Sequence, residues 1–386
     1  MEANRHRAFG RKRVKSLNPD EAVLKRFAFV IHPIEAQDVT RVMPILRFAP
    51  SWFIEALLGM KSPSVVSEIT GIRSITGEET HGWFIGLPRT PQMLVKEGKL
   101  EESYAMIQRC CELGAAQGAD IIGLGAFSSV VGDGGITIAC KSPIAVTTGN
   151  SYTVSTAIQA ALKAADMLEL DLSRSVLAVV GAAGSIGRTC AEVLAPRFAQ
   201  TLLLGRDVEK LREVEAAIPG SQAISDPAEL RHADVVISVS SAGREIVFPE
   251  HLAPGAIVVD VARPRDVSKR VARERPDVLV IEGGVVHVPG DVEFNFNFGF
   301  PPKTAYACMS ETMMLALEGR IENFTLGKTV SAQQVQEIDA IADRHGFYLS
   351  GFRSFEREVG PEAIERAKRA RASRKVPAAL SEHVRS

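Results

Sequence analysis

The sequence predicts an α/β protein: a doubly wound, parallel-sheet domain preceded by a smaller N-terminal α/β domain. Three observations predict it. An apolar, β-branched run at residues 176–180 ends in Gly181, Gly184 and Gly187, which open an amphipathic helical pattern and lead to a second apolar run at 200–204. Further apolar runs recur at 234–239, 256–260 and 278–281, separated by short helical patterns, as parallel strands with helical crossovers require. The chain has 386 residues, 46% of them apolar, which is enough for two hydrophobic cores.

Taken in order, residues 1–26 read as a disordered basic arm, and the N-terminal domain spans 27–150. It opens on a strand, Phe27-Ala28-Phe29-Val30-Ile31, followed by a helical pattern to about residue 60. Strands are expected at 65–76 and 83–87, with Gly71, Gly77 and Gly82 as turn signals. A helix is expected at 101–118, a buried strand at 119–125, then a loop to Gly135 and another strand at 136–139. Residues 151–170 suit a connecting helix, because Val154, Ile158, Leu162 and Ala165 share one face. The dinucleotide-type domain follows at 171–290, a C-terminal segment at 291–356, and a basic tail at 357–386.

Net charge is −1, but the ends are basic and the middle is acidic. Such arms are usually solvated; as binding segments they suit an acidic partner or peripheral contact with a membrane surface, and no nucleic-acid partner is expected. No apolar run approaches a membrane span, and no secretory signal opens the chain. The five cysteines are odd in number and lack metal-ligand spacing, so no metal is expected and a reducing, cytoplasmic setting is.

The glycine turn has a chemical reading. The first glycine permits a tight strand-to-helix turn, the second lets backbone approach a pyrophosphate, and the third lets the helix press on the sheet. This is the Rossmann-type pattern, and it assigns cofactor contacts to Gly181, Ala183, Gly184, Ser185, Ile186 and Gly187. Ser240 and Gly283 join them at the carboxyl ends of later strands. Arg206, just past the second strand, suits a 2′-phosphate, whereas Asp207 suits a helix cap, so NADP is read over NAD. The plainer reading of Arg206 is a solvated helix-start residue.

Cys308 follows Pro301-Pro302-Lys303-Thr304, which reads as a helix start. A thiol in a first helical turn feels the positive end of the helix dipole, which favours the thiolate nucleophile. A buried free cysteine is more often inert packing, as Cys110, Cys111 and Cys190 are expected to be; Cys140 is the competing nucleophile.

From the strand-end and glycine motifs onward the chain resembles a known family, the long-chain acyl-(acyl-carrier-protein) reductases best represented in cyanobacteria, over about residues 27–350. The resemblance is carried by residues 124–131, 147–150 and 181–187, then Glu282-Gly283-Gly284-Val285-Val286, Ala307-Cys308 and residues 317–324. The layout is more distantly similar to shikimate dehydrogenase-like NADP-binding proteins. The first resemblance implies that Cys308 accepts the acyl group, that NADPH supplies hydride, and that the product is a fatty aldehyde. In that family a histidine stands one residue further past the paired glycines than His287 does here. Asp291 fits the spacing better, and both are candidate proton donors. Asn150, Ser128 and Ser129 are candidate oxyanion donors. The phenylalanine alternation at 294–300 is expected to line an acyl channel or to mark a half-buried strand. An acidic acyl carrier protein would find a basic surface on Arg263, Arg265, Lys269, Arg270 and the stretch to Arg275. The alternatives are an NADP-dependent dehydrogenase of a small hydroxy or amino acid, against which no Lys/Asp pair stands out in 27–150, and a non-enzymatic nucleotide-binding protein.

Overall fold

A computed structural model describes residues 24–297 and 299–374. The basic arm up to residue 23, Phe298 and the end of the basic tail from 375 lie outside the described residues.

The N-terminal layer is built on β1 (Arg26–Ile31). A helical lobe follows, with α1 (Val39–Val42) and α2 (Ser51–Gly59), then the antiparallel pair β2 (Ser64–Arg73) and β3 (Glu79–Gly86). After the short α3 (Pro91–Leu94) come α4 (Leu100–Gln117), β4 (Ile121–Leu124), α5 (Ile136–Lys141) and β5 (Ala145–Thr147). β1 runs parallel to both β3 and β4, and β4 parallel to β5. The apolar run of β1 is buried on both faces, as a central parallel strand should be.

The long α6 (Asn150–Met167) crosses to the second sheet: β6 (Val176–Val180), α7 (Ser185–Leu194), β7 (Gln200–Leu204), α8 (Val208–Ala217), β8 (Ser221–Ile224), β9 (Val235–Ser238), β10 (Ile257–Asp260), α9 (Lys269–Glu274) and β11 (Leu279–Glu282). All its pairings are parallel, in the order β11-β10-β9-β6-β7-β8, the doubly wound arrangement expected. α6 is buried nearly all round, far more than a one-faced connector, because it packs against the second sheet as well as helices of the C-terminal segment.

The chain then returns. β12 (Val285–His287) pairs with β14 (Thr304–Tyr306), while β13 (Gly290–Glu293) adds an edge strand to the N-terminal sheet beside β2. α10 (Ala307–Leu317) runs from β14 under that sheet, and α11 (Ala332–His345) and β15 (Tyr348–Leu349) close the core. α12 (Pro361–Ala372) occupies much of the C-terminal basic stretch. Arg371 and Arg374 of that stretch grip the Asp234 carboxylate at 2.9 and 2.7 Å, so this part is docked on the second sheet instead of trailing as a tail.

Two local expectations are corrected. Residues 136–139 form helix α5, not a strand. Asp133 accepts the Thr137 amide and hydroxyl at 3.0 and 2.6 Å, and this N-terminal bond outweighs the β propensity of Ile136-Thr137-Ile138. Thr304 does not start the cysteine helix. It lies in β14, and α10 begins at Ala307, which still leaves Cys308 in its first turn.

Candidate active site

The two sheets face each other across a cleft of about 1040 Å³. Cys308 lines it from one side; Ile186, Ser240 and Gly283 line it from the other. Each reaches the cleft for a local reason. β6 ends at Gly181, whose φ is +86°, and a Cβ there would stand 2.9 Å from Ser240 Cα. A Cβ on Gly187 would stand 2.4 Å from the Gly181 carbonyl oxygen, so the start of α7 sits directly against the turn. The amides of Ser185 and Ile186, in the first turn of α7, have no acceptor within the helix and are available to an anion. Arg206, past β7, is exposed and makes no hydrogen bond or ion pair among the described residues. Asp207 caps α8 through the Lys210 amide and holds the Lys210 ammonium at 2.6 Å, as the helix-cap reading expects. These residues fit a dinucleotide: the turn leaves room for backbone-to-phosphate approach, and the basic residue past β7 is free.

Cys308 is held by the loop that precedes α6. Gly149 has φ +75°, and a Cβ on it would lie 2.3 Å from both Cα and Cβ of Cys308, so only glycine permits this contact. Asn150, the first residue of α6, lines the cleft, and its carboxamide makes no hydrogen bond among the described residues. The backbone amides of Met309 and Ala126 favour the thiolate form of Cys308. Ala126 adopts φ +45°, an uncommon conformation for a side-chain-bearing residue. His32, at the end of β1, fixes this loop: the Phe127 amide donates to its Nε2 at 3.0 Å, and its Nδ1 lies 3.0 Å from the Pro33 carbonyl. Burial lowers the His32 pKa, so the ring is neutral and serves as a brace.

Behind the thiol sits a carboxylate the sequence reading missed. Glu311, on the next turn of α10, is fully buried. It accepts hydrogen bonds from the hydroxyls of Thr147 at 2.5 Å and Ser151 at 2.6 Å and from the Tyr152 amide at 2.9 Å. It therefore ties the cysteine helix to the start of α6. Its only sequence signal is a lone charge inside Met309-Ser310-Glu311-Thr312-Met313-Met314, a pattern that a solvent-facing residue would share.

The electrostatics correct one expectation. Burial pushes the Cys308 thiol up to about 12, and the Glu311 charge adds to it; the amides of Met309 and Ala126 pull the other way and do not compensate. The free thiol is thus protonated at neutral pH despite its first-turn position. Cys110, Cys111 and Cys190 are buried in the cores, with thiols likewise raised by burial, and Cys140 is exposed on α5 away from the cleft.

Four further assignments change. His287 stacks on Tyr348 with ring centroids 4.6 Å apart and does not line the cleft. Asp291 lies on the edge strand β13, exposed and paired with Lys303 at 2.8 Å, again outside the cleft. Neither is brought to the thiol. The Ser128 hydroxyl is buried and donates to the Gly125 carbonyl at 2.7 Å, which removes it as an oxyanion donor. The basic surface at 263–275 is largely neutralised within the protein. Arg263 turns inward to the Tyr306 hydroxyl and the Ala262 carbonyl, Arg265 pairs with Glu282, Arg270 with Glu274, and Arg275 with Asp277. Of the phenylalanines, Phe296 and Phe300 line the cleft, and Phe294 is buried against Phe84.

Residues 162–282 match the sequence family described as Shikimate / quinate 5-dehydrogenase, which spans the end of α6 and the second sheet. The chain is 26% identical over 329 residues to the long-chain acyl-[acyl-carrier-protein] reductase of Synechococcus elongatus, covering 81% of this chain and 94% of that protein. It is also 32% identical over 262 residues to the aminotransferase PigE of a Serratia species, covering 65% of this chain but only 30% of that longer protein. Among solved structures, the L-tryptophan dehydrogenase of Nostoc punctiforme aligns over 94% of this chain and 90% of its own, with 14% identity and a TM-score of 0.41.

Proposed function

We propose that this chain, which resembles the long-chain acyl-(acyl-carrier-protein) reductases and, in its nucleotide-binding half, shikimate dehydrogenase-like proteins, is an NAD(P)-dependent oxidoreductase. Its finer activity is the NADPH-dependent reduction of a fatty acyl thioester to a fatty aldehyde through an acyl-enzyme on Cys308. The observation that carries this reading is the shared cleft, in which the only cysteine among its lining residues faces the glycine-turn side of the second sheet. The resemblance to the Synechococcus enzyme runs along both halves of that cleft.

The chain's own groups suggest how the reaction runs. The Cys308 sulfur attacks the thioester carbonyl, its proton leaves with the departing carrier thiol, and the exchange is proton-neutral. That balance suits a thiol held protonated at rest. The amide of Ala126 and the carboxamide of Asn150 are our candidates to donate to the oxygen as it gains charge, supported by their place in the cleft lining beside Cys308. NADPH, when bound on the α7 side, supplies the hydride that reduces the acyl-enzyme carbonyl. Collapse of the resulting hemithioacetal releases aldehyde and returns the sulfur, which regains a proton. Exclusion of water by Phe296, Phe300 and the Phe127 loop protects the acyl-enzyme from hydrolysis.

The cleft volume of about 1040 Å³ sits just above the usual range for one ligand, ~300–1,000 Å³, and leaves room for a second ligand beside a cofactor. For an acyl carrier protein, Lys61, Arg244 and Lys269 line the cleft and form no ion pair among the described residues. The test is NADPH oxidation coupled to aldehyde formation from acyl carrier protein or coenzyme A thioesters. The wild type should support it, and Cys308→Ser should abolish it. Reduction that survives this change excludes the covalent route.

A further inference from the structure

The lobe between β1 and β2 is built inside out. Its own core is small, with Ala36, Ile54 and Leu58 buried under Leu46, Ala49 and Met93. The large side chains instead point outward: Ile45 is 85% exposed, Phe48 86%, Trp52 70% and Met60 77%. These lie on the 3-10 turn Pro44–Phe48, on α2 and at its end, all on the one lobe. Isolated exposed apolar residues are ordinary, but a cluster of this size on one short lobe marks a binding surface.

We infer that this face docks on an anionic lipid surface. The composition fits that partner. Trp52 and Phe48 are side chains that settle at the boundary between headgroups and acyl chains. The exposed charges within residues 43–61 are Arg47, which lies over the Phe48 ring at 4.9 Å, and Lys61, which turns to Met43 on the cleft side. The one carboxylate there, Glu55, is half-buried and turned to the Thr90 hydroxyl. An apolar face that carries the Arg47 guanidinium beside Phe48 complements phosphatidylglycerol-type headgroups and fits an acidic soluble protein poorly, because such a partner would leave the tryptophan and phenylalanine wet. The opposite side of the lobe forms one wall of the large cleft, through Met43, Leu58 and Lys61. A chain-bearing ligand in the cleft would thus lie next to the bilayer.

Trp52 reports on this directly, since the chain has two tryptophans and Trp83, half-buried in β3, can be replaced by phenylalanine. In the full-length Trp83→Phe protein, vesicles of phosphatidylcholine with about one third phosphatidylglycerol should shift Trp52 emission to the blue and make it quenchable by brominated acyl chains. The triple variant Ile45→Ser, Phe48→Ser, Met60→Ser changes only exposed side chains. It should keep its melting temperature and lose vesicle affinity by at least about tenfold. Arg47→Glu should abolish the preference for anionic over neutral vesicles. No shift with any vesicle overturns the inference, as does equal binding to neutral vesicles. Emission already blue without lipid, and reddening on dilution, would overturn it too, by showing that a second copy covers the face. Because no turnover is measured, Cys308→Ser should bind vesicles as the wild type does, whatever becomes of the acyl chemistry.

Discussion

The Cys308 thiol, proposed as the nucleophile, is held in its protonated form. A thiol raised to about 12 by burial and by Glu311 has little thiolate at neutral pH, and each pH unit of alkalisation multiplies the thiolate fraction about tenfold. Alkylation of Cys308 in the ligand-free protein, followed by peptide mass, should therefore climb without a plateau to at least about pH 10. A plateau near neutrality would show an activated thiolate and contradict this account. Glu311 makes a second, oppositely signed pair of expectations. Glu311→Gln turns into a donor one oxygen of a buried carboxylate that accepts from three hydroxyls and one amide, which should cost about 2 kcal/mol of stability, measured by denaturant unfolding. It also removes the negative charge that raises the thiol, so alkylation of Cys308 at fixed pH should speed up. A destabilised variant with unchanged thiol reactivity would show that Glu311 is only a structural tie.

At the scale of elements, close approaches place the chemistry. Gly149→Ala puts a methyl group 2.3 Å from the Cys308 backbone at a φ of +75°, so either α10 or the start of α6 must move. The expected result is a loss of reduction of at least about a hundredfold, with the nucleotide affinity kept, because a displaced nucleophile is felt strongly and the α7 side is untouched. Arg206→Ala should raise the KM for NADPH about tenfold or more and leave NADH nearly unchanged, in initial-rate assays with each cofactor. Equal effects on both would make Arg206 a solvated residue. The same scale shows what the sequence makes legible. β6, the glycine turn and β7 are local in the chain, so spacing alone reveals them, and the parallel strands announce themselves as buried apolar runs. The start of α5 depended on one carboxylate four residues upstream of Thr137, which a β-branched run conceals. Glu311 could not be read, because its partners are Thr147 and Ser151, more than 150 residues away. His287 and Asp291 are placed by spacing past a glycine pair, but β12 holds His287 against Tyr348 between β14 and β15, and the turn into β13 carries Asp291 to the edge of the N-terminal sheet.

Across the whole molecule, motifs that look unrelated along the chain meet at one cleft. The strand end at 124–131 supplies the Ala126 amide, residues 147–150 seat Cys308, and Glu282-Gly283-Gly284 leads the chain from the second sheet back to the first. Residues 317–324 end α10 and bring Asn323 and Phe324 onto β5, where the Val146 amide donates to Asn323 at 2.9 Å. Both sheets line the site, so its geometry depends on α6 and α10, which pack between them. Asp234→Ala removes the anchor of Arg371 and Arg374 as well as an acceptor for the Val176 amide. It should lower stability by about 2 kcal/mol in urea unfolding, and limited proteolysis should then release the C-terminal helix first. The central claim is the covalent acyl-enzyme. Its most direct test is intact and peptide mass spectrometry of the protein incubated with fatty acyl carrier protein or acyl coenzyme A, without NADPH. The account predicts a fatty acyl adduct on the Cys308 peptide that disappears when NADPH is added; no adduct with any thioester, while reduction still proceeds, would contradict it.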